Sequence, residues 1–415
     1  MSASGEPAAR MENDMGADMI NRGLARTTER VPFNDLTFQW REIAADVRRD
    51  IEGLFERSAF SAGPYVQAFE EEIAGYLGVK HAIAVNSGTS ALHLATLAAK
   101  LGPGDEVLVP SHTFIATLWG LLYAGVTPVL CDVDEATGTI DVADAQRRVT
   151  SRTKAIIPVH LYGQPADMTG VMQLAARFGL KVIEDNAQGI GARWNNMALG
   201  TIGELGCFSF YPGKNLGAAG EAGLVVTNDA ALAARVRSLS NHGQRERYVH
   251  TEIGYNYRMD GLQGLILSHK LKRLDAWTAR RKQLAERFRS GLAGLPVEIP
   301  VVRHGDHVWH LFVVRTPRRD ELREHLARAN IETGLHYPIP CHRQTCLQHL
   351  QMDPDSYPQS DRWARELLSL PLFYGMTDAQ ADHVIDTVYQ FFQSRGPAGF
   401  TDAGEKMSTN QLARV

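Results

Sequence analysis

Apolar residues recur along the chain at two periods, and the change from one to the other marks out its elements. Ile43, Val47, Ile51, Leu54 and Phe55 fall at helical spacing after the lead-in Val31-Pro-Phe-Asn-Asp-Leu36. Gly63-Pro64 opens a second helix, with Val66, Phe69, Ile73 and Leu77 on one face and Gly78 just past its end. From there short apolar runs alternate with helical stretches: strands over 81–85, 106–109, 127–131, 155–159 and 181–184, and helices over 89–100, 114–123 and 168–178. Short apolar strands joined by helical crossovers predict an α/β fold with a mainly parallel sheet, covered by helices on both faces.

Two further apolar runs, Cys207 to Tyr211 and Leu224 to Thr227, flank a glycine-rich segment. Around Asp260 the rhythm changes. Leu262, Leu265, Leu267, Leu271 and Leu274 predict one long helix, continuing through Trp277 and Leu284 to about Leu292, of the kind that bridges domains. Beyond Pro300 shorter units follow, with strands over 308–315 and 331–336 and helices over 319–329 and 378–392, which reads as a small α+β domain. The expected organisation is a flexible tail over 1–30, a large domain over 31–295, a small C-terminal domain over 296–396 and a second tail over 397–415.

Bulk properties narrow the class. A chain of 415 residues, 44% hydrophobic and 22% charged, is that of a globular protein of two or three domains. A net charge of −4 gives no sign of the basic face that nucleic-acid binding needs. Val107 to Cys131 carries no Asp, Glu, Lys or Arg, long enough to raise a membrane helix, but Pro110, Ser111, His112, Gly125 and Pro128 break it into a buried βαβ unit. Residues 1–30 lack the apolar core of a signal peptide. Four scattered cysteines form no framework, so a reducing, cytoplasmic setting is expected. Cys341-His-Arg-Gln-Thr-Cys346, near His336 and His349, fits no common zinc spacing, and no metal site is expected.

The chemistry centres on Lys214, in Ser209-Phe-Tyr-Pro-Gly-Lys-Asn-Leu-Gly217 between two candidate strands. Taken alone it reads equally as an exposed lysine at a hairpin tip or as a desolvated amine, nucleophilic towards carbonyls. Nucleotide-fold readings fail: Phe208 replaces the first glycine of a Walker loop, and Trp194 stands where a dinucleotide fingerprint needs its third glycine. Asn86-Ser-Gly-Thr-Ser90 follows a strand and opens a helix, which makes either a plain N-cap or a phosphate cradle. Asp185 ends a strand, where open α/β sheets bind ligands, though a helix cap would also use it. Phe114 follows another strand end and reads as a core ring or a stacking platform. A phosphate cradle, a strand-end carboxylate, a flat aromatic and a lysine together are what pyridoxal phosphate requires.

Six motifs in order then carry a resemblance. They are Asn86-Ser-Gly-Thr-Ser-Ala-Leu-His-Leu94, Pro110-Ser-His-Thr-Phe114, Glu184-Asp-Asn-Ala-Gln188, Ser209 to Gly217, Gly254-Tyr-Asn-Tyr-Arg-Met-Asp260 and Leu335-His-Tyr-Pro338. With them the chain, from about Val31 to Phe392, resembles the fold-type I, pyridoxal-phosphate-dependent sugar aminotransferases of the DegT/StrS family. The resemblance implies that Lys214 bonds covalently to the cofactor and also moves the proton, and that Asp185 pairs with the pyridinium nitrogen. It implies that Gln188 contacts the ring hydroxyl and Phe114 stacks on the ring, while Gly88, Thr89 and Ser209 hold the phosphate. Asn256 would reach the phosphate of a neighbouring subunit, making the active unit a homodimer with shared sites. His336, Tyr337 and Arg258 are candidates for substrate contacts, and His160, which ends a strand, for the cofactor's border.

The activity so implied moves an amino group from glutamate to a keto sugar on a nucleoside diphosphate, in amino-sugar biosynthesis. Lys-Asn-Leu-Gly looks like members acting on 3-keto sugars on dTDP or UDP, whereas 4-keto enzymes tend to have His-Ile or Thr-Ile after the lysine. Two departures from the family pattern, Glu221-Ala-Gly223 and Asp185-Asn-Ala187, are expected at the rim of the cofactor pocket. An aminotransferase for a free keto-cyclitol or small keto sugar is the nearest rival. A pyridoxal-phosphate sugar dehydratase would carry histidine in place of Lys214, and a regulator would show a helix-turn-helix or basic arm.

Overall fold

The computed structural model describes residues 30–393. The two expected tails, Arg30 apart, lie outside the described residues.

The sheet is built from β1 (His81–Val85), β2 (Glu106–Pro110), β3 (Thr127–Cys131), β4 (Thr153–Ile156), β5 (Lys181–Asp185), β8 (Leu205–Ser209) and β9 (Gly223–Thr227), with a minor hairpin of β6 (Arg193–Trp194) and β7 (Met197–Ala198) beside it. Its spatial order is β1-β9-β8-β5-β4-β2-β3. The pairs β5–β8, β4–β5, β2–β4 and β2–β3 are parallel, while β9 runs antiparallel to both β8 and β1. The expected α/β architecture is therefore present, with one reversed strand in it.

Alternation within the strands shows why both faces are covered. Ile83, Val85, Val107, Val109, Ile183 and Val225 join one core with the helix Gly88–Ala98. Their neighbours Ala82, Ala84, Leu224 and Val226 point the other way, against the helices Pro64–Leu77 and Gly261–Leu271. Leu108, Ile156 and Val182 meet the helix Met168–Phe178. Burial on both sides explains why these strands read as near-continuous apolar runs.

The single long helix expected after Asp260 is two, Gly261–Leu271 and Leu274–Gly291, parted at Lys272 and Arg273. Each half faces a different core. Leu267 and Leu271 pack under the sheet, whereas Leu284, Ala285 and Phe288 belong to a second core. That core contains Phe312, Val314, Leu322, Leu326, Val384 and Val388, and takes in Val31 from the other end of the described chain. The expected strand over 308–315 is confined to β12 (Phe312–Arg315), which pairs antiparallel with β13 (Leu367–Leu370). The strand expected over 331–336 reduces to two bridges, Val31 to Ile331 and Gly334 to Ser369, because its residues pair singly with two different segments and form no continuous ladder. A short hairpin of β10 (Gln244–Glu246) and β11 (Val249–His250) projects before the helix Gly261–Leu271. Among the described residues no helix is long and apolar enough to cross a membrane.

Candidate active site

β1, β5 and β8 all end at one edge of the sheet, and the reversed β9 begins there. Between that edge and the second core lies a cavity of about 590 Å³. Gly88, Thr89, Phe114, Asp185, Gln188, Ser209, Lys214, His336 and Tyr337 all line it, so nine residues singled out in the sequence meet in one place.

The cradle follows β1 directly. Ser87 is the N-cap of the helix Gly88–Ala98, its Oγ accepting from the Ser90 N–H at 3.1 Å. The N–H groups of Gly88 and Thr89, in the first turn, have no intrahelical acceptor, an arrangement that suits an anion. The close approach of strand ends requires glycine here: a Cβ on Gly88 would stand 2.8 Å from the Cβ of Ser209, and one on Gly223 would stand 2.3 Å from the Ser87 carbonyl oxygen. Gly88→Ala is therefore expected to push Ser209 away and weaken binding of pyridoxal phosphate at least about tenfold, the loss of one charge-assisted hydrogen bond. Cofactor titration of the apoprotein measures this, and unchanged affinity would remove the cradle from the site.

Asp185 is 4% exposed. Its Oδ2 accepts from the Thr117 hydroxyl at 2.8 Å and its Oδ1 from the Ala187 N–H at 3.1 Å. Burial raises its pKa, while Thr117, the Ala187 N–H and the charge of Lys214 pull it back. Thr117, one helical turn after Thr113, was not anticipated. Its helix begins at Ala116, so Phe114 lies in the turn before it, with 52% of its surface open.

Lys214 sits in the loop between β8 and β9, its N–H donating to the Tyr211 carbonyl at 2.8 Å. The loop is pinned from behind. Lys270 Nζ donates to the Gly217 carbonyl at 2.6 Å, and the Ala219 N–H donates to Gln263 Oε1 at 2.9 Å. Among the described residues the Lys214 ammonium has no hydrogen-bond acceptor. Loss of hydration lowers its pKa from 10.5 to about 8, with the Asp185 carboxylate acting in the opposite sense. The geometry supports the desolvated amine rather than the hairpin tip.

The opposite wall is aromatic. Phe114 and Tyr337 are 5.4 Å apart between ring centroids. Gln188 Nε2 donates to the Tyr337 hydroxyl at 3.1 Å, and its Oε1 accepts from the Tyr162 N–H at 2.5 Å. His336 Nδ1 bonds to Ser369 Oγ at 2.8 Å, and burial lowers its pKa to about 4, so it is neutral at pH 7. Two further residues on this side carried no local signal in the sequence. His310 is held well below its usual range by burial and by the charges of Lys214 and Arg281. Its Nδ1 lies 3.3 Å from Asn215 Oδ1, and since Asn215 Nδ2 donates to the Val308 carbonyl, the oxygen accepts from the histidine. Arg281, from the helix Leu274–Gly291, is the other.

Several candidates lie elsewhere. Asn256 is exposed, with its Oδ1 accepting from Arg258 at 2.9 Å. Arg258 lines a separate depression of about 780 Å³ beside Glu70 and Arg237 and does not reach the cavity. The cause is the short bridge from Arg258 back to Val85, which holds this segment on the outer side of β1. His160 is fully buried behind the strand ends, bonded to Glu184 Oε2 at 3.0 Å and to the Ala166 N–H at 3.2 Å. Of the two rim departures, Glu221 lines the cavity, but Asn186 faces away, Nδ2 donating to the Leu199 carbonyl at 2.8 Å. Cys341 and His342 are buried, and His342 bridges Ser111 Oγ at 2.6 Å and Asp361 Oδ1 at 3.1 Å.

Known proteins match this chain over most of its length. The DegT/DnrJ/EryC1/StrS aminotransferase family matches residues 41–389. The dTDP-3-amino-3,4,6-trideoxy-alpha-D-glucose transaminase of Streptomyces venezuelae is 44% identical over 366 residues, spanning 88% of this chain and 97% of that protein. The UDP-N-acetyl-3-dehydro-alpha-D-glucosamine 3-aminotransferase of Acidithiobacillus ferrooxidans is 41% identical over 359 residues, 86% of this chain and 97% of its own. Among solved structures, S. venezuelae DesV superposes with a TM-score of 0.86 at 44% identity, covering 88% of this chain and 99% of that one.

Proposed function

Because the chain belongs to the DegT/DnrJ/EryC1/StrS aminotransferase family, we propose that it transfers an amino group from glutamate to a 3-keto sugar carried on dTDP or UDP. The class is that of nucleotide-sugar transaminases, and the cofactor is pyridoxal 5′-phosphate. One observation carries the reading: a single cavity joins an unbonded, partly dehydrated lysine amine to a buried strand-end carboxylate and to the open N–H groups of a helix N-terminus. The residues present fit the cofactor, since the cradle at Gly88 is a space that a Cβ would fill and Phe114 offers an open ring face.

When bound, the cofactor supplies an electron sink that lets the C–H bond beside the transferred nitrogen break. The chain's own residues do the rest. The N–H groups of Gly88 and Thr89, with the Thr89 and Ser209 hydroxyls, hold the phosphate. Asp185, fixed by Thr117 and the Ala187 N–H, would present a carboxylate to the ring nitrogen and favour its protonated form. Phe114 would cover the ring, and Gln188, positioned by Tyr162 and Tyr337, would meet its hydroxyl. Lys214 would hold the cofactor and, as a free amine, would take and return the proton.

Lys214 performs these roles only as the neutral amine. With its pKa lowered to about 8, the neutral fraction rises through pH 7–9 rather than near pH 10.5. The rate at which the apoprotein captures pyridoxal phosphate, followed by absorbance, is expected to climb with pH and level off above about 8 to 9. A rate still climbing steeply at pH 10 would show an ordinary, hydrated lysine.

The preference for a 3-keto acceptor is supported by Lys214-Asn-Leu-Gly217 and by the two relatives' substrates. A homodimer with shared sites is supported by the segment around Asn256. It stands outside its own cavity and carries open apolar surface, with Ile253 88% exposed. A cytoplasmic setting suits the free thiols of Cys131, Cys207 and Cys341. The deciding assay offers glutamate with 3-keto and 4-keto nucleotide sugars. Amination of the 3-keto sugar is expected, and amination of neither, with turnover of a free keto-cyclitol, would replace this reading by its rival.

A further inference from the structure

The mechanism above leaves one buried cation in the cavity without a task. Arg281 is 3% exposed and lines the cavity wall between His310 and Leu372. Its Nη1 donates to three carbonyls, those of Trp309 at 3.0 Å, His310 at 3.4 Å and Leu372 at 2.9 Å. Its Nε and Nη2 have no acceptor among the described residues, and no carboxylate is paired with it. Its pKa, about 10, is lowered by burial alone.

A buried charge without a counter-ion is costly, and an anion bound beside it would relieve that cost. The other charges in the cavity do not meet that need. Asp185 is turned towards Thr117, the Ala187 N–H and Lys214, and Glu221 is exposed at the mouth. From the buried side of the cavity, then, a guanidinium offers two open N–H edges in the planar fork that matches a carboxylate. The phosphate cradle lies on the sheet's edge at Gly88, while Arg281 comes from the second domain's side. A cavity of about 590 Å³ admits a small amino acid, whose carboxylate matches such a fork.

Resting on the proposed transamination from glutamate, the geometry points to Arg281 as the group that binds a carboxylate of the amino donor, a specificity-determining role. Arg281 thereby selects an anionic donor over a simple amine, and the released keto acid leaves from the same contact. Nothing covalent is asked of it.

Glutarate, a dicarboxylate that cannot transfer an amine, tests the assignment in calorimetry with the holoenzyme and with Arg281→Lys and Arg281→Met. Glutarate affinity and glutamate KM are each expected to worsen at least about tenfold in Arg281→Met and less in Arg281→Lys, with the nucleotide-sugar KM unchanged. Unchanged glutarate binding in folded variants would overturn the assignment. So would a rise in the nucleotide-sugar KM alone, which would give the site to the diphosphate. Should neither variant fold, crystals of the wild-type protein soaked in glutarate decide: a carboxylate on Nε and Nη2 supports it, and one bound elsewhere overturns it. Because glutarate binding needs no turnover, a wild-type enzyme that binds glutarate but aminates no nucleotide sugar would refute the proposed acceptor and leave Arg281 standing.

Discussion

Lys214→Ala is expected to reduce amine transfer by more than about four orders of magnitude, because one side chain both holds the cofactor and carries the proton. Loss of both roles falls on kcat rather than on KM. The fold should not suffer. The ammonium has no hydrogen-bond acceptor among the described residues, and burial disfavours its charged form, so removing it relieves a cost. Its backbone N–H, which does matter to the loop, is kept by alanine. Single-turnover conversion of glutamate to its keto acid, alongside a thermal melt, is the measurement. A variant that melts like the wild type yet keeps about a hundredth of the rate would show that another group moves the proton.

The second large effect belongs to Asp185→Asn, expected to lower kcat about 10²- to 10³-fold with little change in stability. Asparagine has the same shape. Its oxygen can keep the Ala187 N–H, and its amide can donate to Thr117, whose own proton then turns to Thr113 Oγ1, 2.9 Å away. What is lost is charge. The carboxylate that favours a protonated ring nitrogen disappears, and with it the field that raises the Lys214 pKa. The variant therefore carries a second signature: the pH at which Lys214 becomes neutral should move below about 8, not above it. Loss of rate without that movement would mean that Asp185 and Lys214 do not face each other across the cavity.

Much of the site was legible because its parts lie at strand ends, and strand ends are marked by local signals. Asn86-Ser-Gly-Thr89 announces a helix start, Asp185 closes an apolar run, and Lys214 is framed by glycines. Thr117, His310 and Arg281 gave no such signal. Arg280-Arg281 reads as a pair of solvent-facing charges on a helix, and only packing distinguishes them: Arg280 reaches Asp378 at the surface, while Arg281 is folded inward onto three carbonyls. The break at Lys272 and Arg273 was hidden for a related reason. Leucines continue at helical spacing on both sides of it, so the periodicity does not report that the two halves serve different cores. Asn186 shows the opposite case, since it neighbours Asp185 in sequence but points away from the cavity in space.

The reversed strand β9 has a consequence for how the molecule comes together. β1 is an edge strand whose sheet neighbour is β9, and β9 is also the strand that anchors the far end of the lysine loop. His81 must find Thr227 and Val85 must find Gly223, pairings separated by well over a hundred residues, before the cradle is joined to the rest of the sheet. A chain emerging from the ribosome thus carries the turn at Gly88 long before the strand that pairs with β1 has been made. Because β9 pairs with both β1 and β8, one late strand joins the turn at Gly88 to the loop that carries Lys214, and a pairing this distant in sequence is of the kind that forms slowly.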